Sequence, residues 1–334
     1  MTEAPASAVT HLALVGPTAS GKSAVALAAA QALGDVEIVS IDAIQVYRGM
    51  DIGTAKPTPA EQAAVPHHLI DLADPGEDFS VARFRAVADE AIAAIEGRGH
   101  RALLVGGTGL YYQALVDRFE LPGQDPELRA ALYQRAEAPD GPAALMAELV
   151  ALDPVAAGRI EPRNVRRIVR ALEVTRSTGR PFSSYGPGVF GGGSGPGAGE
   201  ATVAGAGGRP TGPLRVAAAG IWLSRRLGAE RIEARIRQMV DDGLVDEVQR
   251  LAAAPGGLSR TAREGIGYKE VLDHLEGSVP TLEAALRRTA DRTRQLARRQ
   301  RMWFRRDRRI TWIGSAGNPL ATLPALLATW SSLA

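Results

Sequence analysis

The sequence predicts an α/β protein, a parallel sheet flanked by helices, with an all-helical insertion domain. Three observations carry that expectation. Short β-like runs alternate with helical runs over roughly the first third of the 334 residues, the pattern of βαβ units. From Asp117 the pattern changes to helices alone. The third is Gly16-Pro17-Thr18-Ala19-Ser20-Gly21-Lys22-Ser23, which fits G-x-x-x-x-G-K-[ST] in full. It lies between His11–Val15, a short buried strand by its composition, and Ala24–Leu33, an Ala-rich helical run. Strand, loop and helix in that order are what the motif requires, and they make the core P-loop NTPase-like. The expected organisation is a first part of the core at 1–116, the helical insertion at 117–213, and a return to the core with basic helices at 214–334.

The motif has a physical reading. Its glycines let the backbone curl so that N–H groups face a phosphate, and the helix start adds partial positive charge. Lys22 reaches terminal phosphates and Ser23 is placed to bind Mg²⁺. A chance glycine-rich turn is the bland alternative. The loop specifies a di- or triphosphate without saying which.

The remaining elements follow in order. Val36–Ile41 is a strand ending in Asp42-Ala43-Ile44-Gln45-Val46-Tyr47. An acid at the C-terminal end of such a strand sits on the ligand edge beside the P-loop; a helix N-cap or an ordinary Mg²⁺ ligand are the alternatives for Asp42. Gly49–Pro57 is a punctuated loop, and 66–71 is a possible short strand. Within it His67 and His68 lack the spacing of a zinc site, which favours a structural role. Phe79–Ile95 is a helix with Ser80 near its cap, and Arg101–Val105 a further strand. That strand ends in Gly106-Gly107-Thr108-Gly109, where glycines permit close approach and Thr108 offers a hydroxyl; a tight turn is compatible with either role.

Pro126–Glu137, Gly141–Leu152 and Glu161–Thr178 are the expected insertion helices, the third with Arg163, Arg166, Arg167 and Arg170 on one face. Gly186–Pro213 holds 12 Gly and 4 Pro in 28 residues and is expected to be a flexible insertion. Arg215–Leu223 is a strand, followed by a long helix over Leu227–Leu251 that Gly243 interrupts.

Composition narrows the function. There is no cysteine, which excludes disulfides and thiolate metal sites and favours a cytoplasmic location. No apolar run reaches the ~18 residues of a membrane span, and the N-terminal stretch lacks the basic start of a signal peptide. The net charge is only +2, but 36 of the 39 cations are Arg and the three Lys are Lys22, Lys56 and Lys269. A lysine surviving in such a chain marks a place where a compact ammonium is needed. Between Arg287 and Arg309 lie eleven Arg and two Asp, a local charge of +9, with Gln295, Gln300, Trp303, Phe304 and Trp312 in or near the run. Arginines interleaved with aromatics on a helix suit a nucleic-acid backbone; a solvated helix face is the alternative.

These pieces, in order and spacing, resemble the bacterial tRNA dimethylallyltransferases over about residues 10–315. The resemblance rests on Gly16–Ser23, Asp42–Pro57, Pro66–His68, Val105–Tyr111, Thr261–Glu270 and Thr293–Gln300. Gly265 stands where the family pattern has a larger residue, and Gly186–Pro213 resembles an insertion. The resemblance implies transfer of a dimethylallyl group from dimethylallyl diphosphate to N6 of the adenosine 3′ of the anticodon, in tRNAs reading codons that begin with U. It implies Asp42, Thr108, Lys22 and Arg225 as catalytic residues, Arg225 through a degenerate match. It implies Gly16, Pro17, Thr18, Ala19, Ser20, Gly21, Lys22 and Ser23 around the diphosphate, with Mg²⁺ on Ser23. It implies tRNA contacts at Asp42, Ala43, Ile44, Gln45, Thr108, Arg129, Asn164, Val165, Arg166, Arg167, Ile168, Arg263, Lys269 and Arg298. A monomer binding the tRNA anticodon stem-loop, with no membrane partner, is expected. A small-metabolite kinase leaves the arginine-rich segment idle, an enzyme acting on free adenine nucleotides does not need it, and a non-catalytic RNA-binding protein does not need the complete P-loop.

Overall fold

The computed structural model describes residues 9–185 and 213–333. The glycine-rich stretch expected to be a flexible insertion lies outside the described residues, Pro213 excepted. Two compact units are present, Met1–Asp117 with Pro210–Ala334, and Arg118–Arg209.

The first unit opens with β1 (His11–Val15), α1 (Lys22–Leu33), β2 (Val36–Ser40), α2 (Pro59–Ala64), β3 (His67–His68), α3 (Val81–Gly97), β4 (Arg101–Gly106) and α4 (Gly109–Val116). In the second unit follow α5 (Pro126–Ala136), α6 (Gly141–Leu152), α7 (Pro154–Ala157) and α8 (Val165–Thr178). The chain then returns as β5 (Val216–Leu223), α9 (Arg225–Asp241), α10 (Leu244–Ala253), α11 (Arg260–Arg263), α12 (Tyr268–Leu275), α13 (Leu282–Phe304), β6 (Thr311–Ser315) and α14 (Leu323–Leu333).

The six strands form one sheet in the order β3-β2-β4-β1-β5-β6, and every pairing is parallel. The central strands are buried on both faces, as parallel strands are. Alternate residues serve opposite sides. Ala13, Val15, Val39, Ile41, Leu104 and Ala218 face a core that includes Phe84, Tyr112, Tyr268 and Phe304. Leu12, Leu14, Ile38, Leu103 and Ala219 face Val25, Ala29 and Trp330. Because all six strands run the same way, the loops after β1, β2, β4 and β5 emerge at one edge.

The second unit has its own core of Leu132, Leu145, Leu149, Ile168, Leu172 and Phe182. Buried Glu173 accepts from Asp125 N at 2.8 Å and from Arg129 Nε and Nη2 at 2.9 and 2.8 Å. Arg170 lies 3.0 Å from it. Burial alone would raise the Glu173 carboxyl; Arg129, the Asp125 amide and Arg170 outweigh it and hold it below the usual range.

Several boundaries differ from the sequence expectation. The third insertion helix starts at Val165, not Glu161, because Asn164 caps it by accepting from Arg167 N. The helical stretch over Leu227–Leu251 is interrupted at Gly243 as expected, where φ is 99°, and forms two helices whose outer ends, Arg225 and Ala253, lie two residues beyond the expected ones. The strand at 66–71 is only His67–His68; Leu69 and Asp71 both have positive φ and end the pairing. His68 Nε2 meets Glu37 at 2.7 Å, and His67 Nδ1 meets Val65 O at 2.8 Å. Glu37 also binds Arg98 and His100, and these contacts hold it at about 2, the Arg98 hydrogen bonds first among the causes. β6 and α14 had no counterpart in the sequence reading.

Candidate active site

The P-loop begins one residue after β1, and α1 starts at Lys22. Lys22 and Ser23 therefore occupy its first turn, where N–H groups have no partner within the helix. Gly16 has φ 152°, Ala19 φ 61° and Gly21 φ 86°. A Cβ at Gly16 would stand 3.1 Å from Ile221 O, and one at Gly21 would stand 2.5 Å from Pro319. Ser20 N donates to Pro17 O at 3.3 Å, and Thr18 N donates to Gln300 Oε1 at 2.8 Å. The N–H groups of Ala19, Gly21, Lys22 and Ser23 have no acceptor among the described residues, so the loop is a cradle of open donors. The Ser23 hydroxyl is exposed and likewise without a partner. A free hydroxyl at the start of a helix fits the oxygen chemistry of Mg²⁺, which takes one or two protein oxygens and fills its remaining positions from phosphate and water.

Lys22 Nζ makes no contact ion pair among the described residues. Enclosure by protein pushes its pKa down to about 8; Asp42 opposes that shift and Arg235 adds to it. Arg235, on α9, is itself lowered by burial, with Asp42 opposing. Its Nη2 is 3.5 Å from Thr54 O. Two half-buried cations therefore share a single carboxylate, and the surplus positive charge suits an anion.

Asp42 follows β2. No helix starts there; Oδ1 accepts from Ile44 N at 2.9 Å and Gln45 N at 3.4 Å and so holds a turn. Oδ2 takes no part in this turn. Thr108 occupies the N-cap position of α4 without making a side-chain cap. Its Oγ1 instead accepts from Ala43 N at 3.3 Å, and Thr108 N donates to Ile41 O at 3.3 Å. The loops after β2 and β4 are thereby stitched together.

Gln45 is occupied within the fold. Its amide donates to Thr54 O and Ala55 O, both at 3.2 Å, and accepts from Ser40 Oγ at 2.9 Å. The loop it holds is fixed from below as well. Lys56 Nζ, only 3% exposed as a side chain, reaches Tyr47 O, Asp51 and Asp71. Buried Glu247 of α10 accepts from the N–H groups of Asp51, Ile52 and Gly53 and from Tyr268 Oη at 2.6 Å. Of the three lysines, Lys56 is the one whose side chain is buried, whereas Lys22 and Lys269 are half-buried, Lys269 lying 3.4 Å from Glu264.

Arg225 is the first residue of α9 and is exposed. It acts on Arg301, and the Arg301 and Arg305 guanidinium groups lie 4.9 and 5.7 Å from the Trp222 ring centre. Burial lowers Arg301, and Arg225 and Arg305 add to the effect. Arg231 supports the P-loop from the same helix, donating to Ser20 O at 3.2 Å and to Gly317 O. Gln300, Arg235, Arg231 and Glu247 were given no role from sequence. Gly107 was the available signal for Gln300, since a Cβ there would stand 2.2 Å from Gln300 Nε2. At Gly265 a Cβ would stand 3.0 Å from Ala262 O, so this departure from the family pattern suits the local backbone.

The expected nucleic-acid residues divide by what they touch. Arg298 is exposed and without an acid partner among the described residues, as are Arg166 and Arg167. Asn164 is exposed but spends its side chain as a cap. Val165 and Ile44 are half-buried. Ile168 is fully buried in the second unit's core, which corrects its inclusion as a contact residue: the segment was taken whole, and this position packs inward. The Arg129 guanidinium is bound by Glu173 on two nitrogens. Arg263 pairs with Glu276.

Comparison with known proteins places this arrangement. The family model "IPP transferase" matches residues 45–307, and "Isopentenyl transferase" matches residues 9–71. A tRNA dimethylallyltransferase of Bifidobacterium longum is 44% identical over 312 residues, covering 92% of this chain and 87% of its own. One of Salinispora arenicola is 46% identical over 311 residues, covering 93% and 84%. The crystal structure of a full-length tRNA isopentenylpyrophosphate transferase from Bacillus halodurans matches with TM-score 0.66 and 35% identity over 97% of each chain.

Proposed function

The chain belongs to the IPP transferase family, and from that premise we propose that it transfers the dimethylallyl group of dimethylallyl diphosphate to N6 of the adenosine 3′ of the anticodon in tRNA. The carrying observation is that three adjacent strand ends bring the P-loop donors, Asp42 and Thr108 to one edge of the sheet.

An exocyclic adenine amine is a weak nucleophile because its lone pair is delocalised into the ring. As N6 attacks C1 of the dimethylallyl group, the C1–O bond breaks and the electron pair leaves with the diphosphate. The N6 proton passes to Asp42, whose Oδ1 is held by two backbone N–H groups; the second oxygen takes the proton. General-base help of this kind contributes about 10²–10⁴-fold. Thr108 steadies the Asp42 loop through Ala43. The leaving diphosphate gathers charge at the open amides of Ala19, Gly21, Lys22 and Ser23, with Lys22 and Arg235 adding cationic charge. Arg225, exposed at the start of α9 just after β5, would add positive charge for the diphosphate. Ser23 would hold Mg²⁺, which when bound neutralises diphosphate charge.

The target base must leave its stack to reach such a site. In the first unit the arginines without acid partners on α13, and in the second unit those on α8, each form a surface that would suit tRNA phosphates.

The test is to incubate the protein with labelled dimethylallyl diphosphate and Mg²⁺, offering total tRNA or AMP. Label is expected on tRNA; label on AMP alone overturns the reading. Asp42→Ala is expected to cut turnover about 10²–10⁴-fold while leaving tRNA affinity within a few-fold. Equal loss of both would reduce Asp42 to a turn-forming residue.

A further inference from the structure

We propose that Gln300 is a positioning residue for the diphosphate, holding the start of the P-loop from α13 so that the loop's other amides stay open to the anion. This rests on the dimethylallyl diphosphate reading of the loop.

Gln300 Oε1 accepts from Thr18 N at 2.8 Å, across 282 positions of sequence. The other end of the amide lies against Gly107: a Cβ there would stand 2.2 Å from Nε2 and 3.0 Å from Cδ. One turn further along α13, Trp303 occupies the space a side chain at Gly109 would need, 2.2 Å from an added Cβ. The two glycines of the loop after β4 are therefore a seat for this helix, and Gln300 reaches past them to the loop after β1.

The P-loop needs holding. Ala19 takes φ 61° without being glycine, a conformation that side chains resist and that persists only where surroundings impose it. Its neighbour Thr18 is the residue Gln300 grips. Inside the loop the one other backbone bond is the 3.3 Å contact from Ser20 N to Pro17 O. With Thr18 N–H taken by Gln300, the amides of Ala19, Gly21, Lys22 and Ser23 remain for the ligand. In water a phosphate oxygen and a side-chain carbonyl compete for such donors; here they are given different ones.

The helix that carries Gln300 also carries Arg298 and Arg299 in the same turn, both exposed and without acid partners. A helix pressed against nucleic-acid phosphates on one side thus sets the phosphate cradle on the other. That arrangement gives a polar residue in the middle of an arginine run a purpose that charge alone does not.

Gln300→Met keeps the length and shape of the side chain and removes the carbonyl. The KM for dimethylallyl diphosphate and the Kd for inorganic diphosphate are expected to rise about tenfold, the size of one lost hydrogen bond. The KM for tRNA, its salt dependence, kcat and the melting temperature should stay close to wild type. An unchanged diphosphate Kd in a folded, active variant overturns the proposal. Equal losses in kcat, both KM values and melting temperature also overturn it, because they mean a packing role alone. Wild-type protein that transfers nothing to tRNA would instead defeat the activity reading, and the inorganic diphosphate measurement would still decide Gln300.

Discussion

Around the start of α8, Arg163, Arg166 and Arg167 stand exposed with no acid partner among the described residues, while Arg170 further along meets buried Glu173. In α13 the order is reversed. Up to its middle, Arg287, Arg292 and Arg294 meet Glu283, Glu270 and Glu233, with Arg288 the exception that meets no acid among the described residues. Arg298, Arg299, Arg301 and Arg305, in and just after its second half, meet no acid among the described residues. The helix dipole favours cations at a C-terminus and disfavours them at an N-terminus. The open arginines of α13 are therefore placed where the helix itself welcomes them. Those of α8 stand against the local field, and folding alone gives no reason for them. A charge count treats the two helices alike; pairing shows which charges are left for a partner.

Four measurements sharpen or break this contrast. The largest effect is expected from Arg298→Ala, Arg299→Ala and Arg305→Ala combined. tRNA affinity should fall about 100-fold at low salt, and the slope of log affinity against log salt should become shallower by about 3. Replacing the paired Arg287 and Arg294 instead should leave the slope alone; if both sets move it equally, pairing carries no information.

Next is Glu173→Gln, which withdraws the anion from Arg129 and Arg170. It should destabilise the protein by about 2–3 kcal/mol in chemical denaturation. Because the native Glu173 pKa is depressed, its stabilisation is present above the unfolded carboxylate pKa and is lost as pH falls through the folded value. The variant should therefore lose less on acidification than wild type. Should the freed Arg129 also tighten tRNA binding, the division between structural and open arginines is less strict than drawn.

Arg166→Ala with Arg167→Ala comes third: about tenfold weaker tRNA binding and a slope shallower by about 2, with kcat at saturating tRNA unchanged. Last is a pH dependence that the arginines should not share. On the proposed reading Lys22, lowered to about 8, would bind the diphosphate as a cation and lose charge as pH rises through that value. kcat/KM for dimethylallyl diphosphate should fall about fourfold between roughly pH 7 and 8.5, since it reports the free enzyme. tRNA affinity should stay flat over the same range, because guanidinium groups do not titrate there.

What the sequence made legible was local. The P-loop motif is contiguous, and its strand and helix flank it within a few residues. Asp42 and Thr108 were legible as the residues just past two strand ends, a position that matters in any parallel sheet. The failures are contacts between distant segments. Nothing near residue 18 announces Gln300, and nothing near residue 51 announces Glu247. Ile168 was included because a five-residue stretch was taken as a unit, although one face of a helix must turn inward. The interruption of the 227–251 helix at Gly243 was legible too, because a glycine supplies the left-handed conformation, φ 99°, that the break requires. β6 was missed because its five residues show no alternation, two exposed, two half-buried and only Ser315 buried, and because they follow closely on an arginine run.

The place of β1 has a consequence for how the protein is made. Leu12 pairs with Leu103 on one side and with Ala217 on the other. The second partner emerges from the ribosome only after the whole helical unit has been synthesised. Until then one edge of β1 has open hydrogen-bonding groups and apolar side chains, and the wall that Ile221 gives to Gly16 does not exist. Pairings this distant in sequence are slow to form, and an unpaired apolar edge invites association with other chains. A nascent chain halted before β5 is therefore expected to hold the complete P-loop sequence, lack a finished phosphate cradle, and depend on chaperones to stay apart from its neighbours.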